Sequence, residues 1–320
     1  METKTKFELK LGMATREAFG KALVELGRQN NQVVVCDADL SKSTYTNLFA
    51  KEFPDRFIEC GIAEANMVGI GSGLASSGKI PFVSSFSCFV LNKGFEQLRV
   101  TAAFPNVNLK VVGTHSGISI GEDGPSQMSI EDLSLACSLP GFTVLSPADE
   151  VAMRALVLAA AAHFGPVFIR AGRAKAPIIH SADQHFEIGG SVQLNDGKDA
   201  TIIVTGLLVA EAIRAQEALE NDGISVRVID MYSIKPLDRD AIQRAAAETG
   251  AIVVGEEHLA DAGLGVRVAQ VVAETHPCAM EFVGLHSYAE SGTPDELLDK
   301  YGLRARDLVA ATKRVLARRR

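Results

Sequence analysis

Residues 56–86 read RFIECGIAEANMVGIGSGLASSGKIPFVSSF, and how this stretch divides decides the fold. Its two ends, "RFIEC" and "PFVSSF", are short runs rich in β-branched and aromatic residues, the signature of strands. Between them lie small and apolar residues of the kind that pack a helix onto a sheet. Strands flanked by helices on one chain imply a parallel sheet covered on both faces. From Cys60 to Phe82 the stretch holds a single acidic residue, Glu64, where the helix starts at Ala63. One account is electrostatic: a carboxylate favours the positive end of a helix by about a few tenths of a kcal/mol. The other is chemical: a largely dry site needs one carboxylate. The window alone leaves both open.

The same rhythm continues outward. "QVVVCD", "LKVVGTH", "TVLSP" and "PVFIRA" read as further strands, with "TREAFGKALVELGRQN" and "EVAMRALVLAAAAHF" among the helices between them. After Gly172 a polar stretch interrupts the pattern, which restarts as "ATIIVTG", "SVRVIDM", "AIVVGEE" and "AMEFVGL". The expected architecture is two parallel-sheet α/β domains, residues 1–184 and 185–320, joined near Gln184 through a segment punctuated by Gly and Pro. No short repeat or low-complexity segment is evident.

The chain has 320 residues, 47% of them hydrophobic, enough for two ordinary cores. A net charge of −7 argues against nucleic acid as the main partner, and the basic tail "KRVLARRR" reads as a solvated helix end. No apolar run reaches the roughly eighteen residues of a membrane span, and "METKTKFELKLG" lacks an apolar signal core. Five cysteines, Cys36, Cys60, Cys88, Cys137 and Cys278, form no C-x-x-C pair. They are expected to be reduced thiols of a cytoplasmic protein, with no metal site.

The familiar nucleotide motifs do not fit. "GIGSGLA" is spaced G-x-G-x-G and sits inside a helical segment, not at a strand-to-helix turn. The "GLG" of Gly263 to Gly265 is followed by no matching acid about twenty residues on. No P-loop and no G-x-S-x-G elbow occur. What remains is a series of polar and aromatic residues at the ends of successive strands: Asp37 and Asp39, Glu64, Phe86 and Phe89, His115, then Glu122 and Asp123 in "GISIGEDGPSQ", and Arg170. Open α/β sheets bind ligands beyond the carboxyl ends of their strands. Each residue alone has a structural explanation, but together they make one rim with acid, base, aromatic and cationic members.

The order "DADLSKS … GIAEANMVGIGSGLA … FSCF … GTHSGISIGEDGPS … FIRAGR" resembles the pyrimidine-binding domain of transketolase. "SIKPLD", "VVGEEHLADAGLG" and "AESGTPDELLDKYGL" resemble the transketolase C-terminal domain, and the similarity spans about residues 11 to 316. The resemblance implies thiamine diphosphate as cofactor. It assigns Glu64 the carboxylate that hydrogen-bonds the aminopyrimidine ring and favours the imino tautomer needed for proton removal from the thiazolium. It also implies that Phe89 stacks on the pyrimidine, that Phe86 lines its pocket and that Asp39 lies near the cofactor. His115 and Asp123 would contact a ketose donor, and Arg16, Ser43 and Arg170 would hold a sugar phosphate.

Two positions depart from the family pattern: Asn92 stands where a tyrosine is usual, and Gln127 where "GEDGPTHQ" has histidine. The chain also has no G-D-G motif with its paired asparagines, which in the family holds the diphosphate and Mg2+. The resemblance therefore implies the C-terminal half of a split enzyme. An N-terminal subunit would supply the diphosphate and metal domain, a two-fold heterotetramer is expected, and the lone chain is expected to be inactive. Two other readings stay open at this point. One is the β subunit of a 2-oxoacid dehydrogenase E1 component; the other is a non-catalytic scaffold subunit.

Overall fold

A computed structural model describes residues 9–319. The amino-terminal stretch read above for a signal core lies mostly outside these residues. The first part of the chain runs β1 (Leu11–Ala14), α1 (Thr15–Gln29), β2 (Val33–Asp37), α2 (Ser41–Thr44), α3 (Asn47–Glu52), β3 (Phe57–Glu59), α4 (Glu64–Ser76) and β4 (Ile80–Phe86). It continues with α5 (Ser87–Gln97), β5 (Lys110–Thr114), α6 (Asp132–Ser138), β6 (Thr143–Leu145), α7 (Glu150–Ala162), β7 (Val167–Arg170) and β8 (Lys175–Pro177). The second part holds β9 (Val192–Asn195), β10 (Ala200–Val204), α8 (Leu208–Asn221), β11 (Val226–Asp230), β12 (Ser233–Lys235), α9 (Arg239–Thr249) and β13 (Ala251–Leu259). It closes with α10 (Leu264–Thr275), β14 (Ala279–Leu285), α11 (Pro294–Lys300) and α12 (Ala305–Arg318).

Two mainly parallel sheets result. The first has seven strands in the order β12-β6-β7-β5-β4-β2-β3, the second five in the order β14-β13-β10-β11-β9. Their central strands are buried along their whole length, as in β2, β5 and β10, because helices cover both faces. Both sheets carry an antiparallel edge, β12 on β6 and β9 on β11. The β12 edge was not expected from the sequence: a strand from beyond residue 184 completes the first sheet. The small pair β1 and β8 was also not foreseen.

α4 shows why "GIGSGLA" belongs to packing. It buries Met67, Val68, Gly71, Ser72 and Ala75 on one side, at helical spacing. A Cβ on Gly71 would lie 2.5 Å from Val83 Cγ1 of β4, so only glycine lets the helix approach the sheet this closely. At its first turn α4 meets α5, where a Cβ on Gly94 would lie 3.8 Å from the Glu64 carbonyl. Among the described residues, no helix is long and apolar enough to cross a membrane, and no cluster of His, Cys, Asp and Glu could hold a metal ion.

Candidate functional site

Glu64 is the first residue of α4, and its side chain is 3% exposed. Its partner is Lys93 of α5, whose Nζ lies 3.4 Å from Oε1 and 3.3 Å from Oε2. The same ammonium lies over the Phe89 ring, 4.6 Å from its centroid. Phe89 stacks on Phe86 at 5.4 Å, and Phe86 in turn stacks on the His115 imidazole at 3.8 Å. A carboxylate and a ladder of three flat rings thus meet where α4, α5 and β5 converge. Phe86 closes β4 and Phe89 lies one turn into α5, which is why "FSCF" places both rings in one stack.

His115 follows β5 with a left-handed backbone, φ 59°, and is 2% exposed. Its Nε2 lies 3.2 Å from Arg16 Nη1, and its Nδ1 lies 2.9 Å from Thr114 Oγ1. A guanidinium can only donate, so Nε2 must be the accepting nitrogen and the ring proton sits on Nδ1, directed at Thr114. The Thr114 hydroxyl passes its own hydrogen to the Ser85 carbonyl at 3.3 Å. Burial, with Arg16 and Arg173 nearby, pushes the imidazole down to about 3, so the ring is neutral.

Arg16 is half-buried and also donates to the carbonyls of Ser43 at 2.7 Å and Arg173 at 3.3 Å. Ser43 therefore steers Arg16 through its backbone. Asp39 is exposed, with φ 63°, and its N–H is held at 2.8 Å by Glu59 Oε1, which also takes the Gly61 N–H at 3.0 Å. Glu59 thus braces the loop that leads into Glu64, a role the sequence reading missed. Asp123 is exposed on the Gly-rich loop and its charge acts on Arg16. Gln127 is half-buried, and its carbonyl accepts from Cys88 Sγ at 3.1 Å. Asn92 Nδ2 donates to Glu131 at 3.1 Å.

Arg170 requires a correction. Instead of lining the rim, its guanidinium is 6% exposed and bound to Asp132 Oδ2 at 2.8 Å. It also donates to the carbonyls of Ser129 and Glu257. Burial works against both ionised forms, yet each group holds the other charged: the Asp132 carboxyl is lowered and the Arg170 guanidinium raised. Its Nε and Nη2 donors are thus turned to protein groups and not to the rim. Arg170 is the last residue of β7, inside the sheet, whereas ligands meet residues beyond strand ends.

The cation at the rim is Arg173, three residues on. It is half-buried, adjoins Arg16 through its carbonyl, and donates to Glu122 Oε2 at 2.9 Å and to the Ile120 carbonyl. The signal was present in "RAGR": the arginine past the Gly, not the one closing the apolar run, leaves the strand. Lys93 was also missed, because a lysine in a helix normally reads as a solvated face.

The fold and this site define a thiamine-diphosphate-type pyrimidine domain followed by a second α/β domain. Residues 12–178 match the family described as "Transketolase, pyrimidine binding domain", and residues 189–308 match "Transketolase, C-terminal domain". The chain belongs to the transketolase family. It is 41% identical over 292 residues to a Methanocaldococcus jannaschii protein named as a transketolase C-terminal section, covering 90% of this chain and 92% of that one. It is 37% identical over 315 residues to a 6-deoxy-6-sulfo-D-fructose transketolase subunit of a Clostridium strain, with 98% of each chain covered. A solved structure described as "Split gene transketolase, inactive beta4 tetramer" superposes with a TM-score of 0.91 at 47% identity, covering 97% of this chain and 100% of that one. The chain spans about half the length of other curated relatives, 49% of one that is 42% identical to it. These comparisons do not favour the 2-oxoacid dehydrogenase reading.

Proposed function

We propose that this chain is the C-terminal subunit of a two-subunit transketolase. It would transfer a two-carbon ketol unit from an anionic ketose to an aldose, with thiamine diphosphate held jointly with an N-terminal subunit. The observation that carries this reading is a nearly dry carboxylate, Glu64, joined through Lys93 to the Phe86–Phe89 stack. That set fits an aminopyrimidine: a flat ring needs an aromatic face, and a ring nitrogen needs a carboxylate with which to share a proton. It does not suit a diphosphate with its Mg2+, because two phenyl rings and one carboxylate offer neither N–H donors nor a full oxygen ligand set. Those ligands belong to the partner.

When bound, the cofactor supplies a nucleophilic thiazolium carbon. Glu64 holds a proton between its carboxylate and the ring nitrogen, and its burial at the head of α4 keeps water from competing. Phe89 offers its face to the ring, while Phe86 fixes Phe89 from one side and His115 from the other end of the stack. His115, with its proton held on Nδ1 by Thr114, offers Nε2 as an acceptor for a sugar hydroxyl once Arg16 turns to the anionic end of the substrate. Asp123 accepts from further hydroxyls. Gln127 donates its side-chain N–H to the donor carbonyl oxygen. Arg16 and Arg173 form a two-guanidinium site for a phosphate, or for a sulfonate of the kind in the name of the Clostridium relative.

Glu64→Gln in the complex with the N-terminal subunit, thiamine diphosphate and Mg2+ is the test. Turnover of phosphorylated ketoses should fall by more than about a hundredfold, with the fold unchanged by circular dichroism, because the amide cannot share the proton. Turnover within about tenfold of wild type would return Glu64 to a helix-end role. The lone chain should bind thiamine diphosphate weakly by calorimetry. A tight, Mg2+-dependent affinity without the partner would contradict the split-subunit reading.

A further inference from the structure

The second domain contributes no residue to the ring stack or to the arginine pair, yet it grips the loop between His115 and Gln127. Glu257 of β13 is 3% exposed, and its Oε1 accepts the Ser119 backbone N–H at 2.6 Å. Gly117, at φ +78°, makes this approach possible: a Cβ there would lie 2.2 Å from the Glu257 carboxyl carbon. Arg170 secures the arrangement from below. It donates to the Glu257 carbonyl at 2.9 Å and to the Ser129 carbonyl at 3.2 Å, and Ser129 in turn accepts the Gly117 N–H at 2.7 Å. The far end of the loop is closed in as well. Gly121 packs against Pro294, and Gly124 against Ser291.

We propose that Glu257 is a positioning residue: by taking the Ser119 amide it sets where the loop presents Asp123 and Gln127 to the donor sugar. The inference rests on the functional reading above for what the loop does, but not for how it is held. A carboxyl oxygen fits this task because it accepts the amide at 2.6 Å from a side chain anchored on a strand. Its burial removes water as a competing partner, so the loop has one strongly preferred place. The competing account is that Glu257 only joins the two domains. The two accounts differ in what they predict: a domain joint affects stability, whereas a positioned loop affects substrate binding.

Glu257→Met keeps most of the volume and removes the acceptor oxygen. In the complex with the partner subunit, donor KM should rise about tenfold while kcat stays within about threefold, since a loop displaced by a fraction of an ångström loses aim. Ser119 amide exchange, followed by NMR or fragment-resolved mass spectrometry, should quicken relative to amides of β4. Gly117→Ala perturbs the same contact from the loop side and should raise donor KM in the same way. Combining it with Glu257→Ala should add little to either alone. Unchanged Ser119 exchange in Glu257→Met, or lowered thermal stability with donor KM unmoved, overturns the proposal. If the wild-type complex transfers no ketol unit, the functional reading fails on its own, and the exchange measurement still decides whether Glu257 anchors the loop.

Discussion

Arg16 Nη1 stands 3.2 Å from His115 Nε2, so in this structure the one histidine of the rim accepts a hydrogen bond from a permanent cation. This fixes its tautomer, and burial foremost, with Arg16 and Arg173 beside it, holds its proton affinity down. With the folded value at about 3, well below an ordinary imidazole near ~6.5, the sign of the linkage is clear. The neutral ring contributes stability that is fully present above the unfolded value and is lost as pH falls from about 6.5 towards 3. In an NMR titration the His115 ring signals should stay flat from pH 8 to pH 5. An inflection near 6.5 would show that Arg16 does not hold the ring as described.

The arginines should separate by function. Arg16→Ala or Arg173→Ala should raise KM for a phosphorylated donor about tenfold or more, and leave KM for its unphosphorylated analogue nearly unchanged. Arg170→Met should behave differently: it leaves Asp132 buried without its cation, at a cost of roughly 3–5 kcal/mol in folding stability. Calorimetric unfolding beside steady-state kinetics distinguishes the two classes. Equal KM effects on both substrates in Arg173→Ala would remove it from the anion site.

Lys93 touches both groups proposed above to meet the cofactor ring, lying 3.3 Å from Glu64 and over Phe89. On that proposal the ring and the ammonium would compete for one face, and Lys93 would have to swing out. Removing it by Lys93→Ala should tighten thiamine diphosphate binding to the complex. The gain should be about 1 kcal/mol, or roughly fivefold in Kd, from an exposed cation–π contact and a half-exposed ion pair. A weaker Kd in the variant would mean that Lys93 helps to hold the ligand.

Gln127 cannot give or take a proton near neutral pH, whereas a histidine can. If this residue tunes the loop for an unusual donor, Gln127→His in the complex should raise activity on xylulose 5-phosphate several-fold. No rise would move the source of specificity to Asn92 or to the partner subunit.

Much of this site was legible because its chemistry lies in short unbroken motifs at strand ends. Phe86 closes β4, His115 follows β5 directly, and Glu64 opens the helix that four residues separate from β3, so each lies at a carboxyl edge of the sheet. The same logic misled at β7, where Arg170 closes the apolar run but still points into protein. Only the three-dimensional position of Asp132 and the Glu257 carbonyl reveals that its Nε and Nη2 are engaged inside the protein. Lys93 and Glu257 were illegible for another reason: each acts on residues far away in the chain, and nothing local in "LNKGF" or "VGEEH" announces a partner. The edge strand β12 escaped because three residues before a proline carry too little pattern to read as a strand.

That edge strand has a practical corollary. β12 hydrogen-bonds along β6, which has β7 on its other side, so the two halves are interlaced and not merely tethered. A protein cut at residue 184 would bare β6 as an unpaired margin of a hydrophobic sheet, open to pairing with a neighbouring molecule. Such a fragment should precipitate on expression, while one that extends past Lys235 gains the missing strand but carries an unfinished second sheet. Any exchange of halves between relatives would therefore have to move residues 233–235 together with the first sheet they complete.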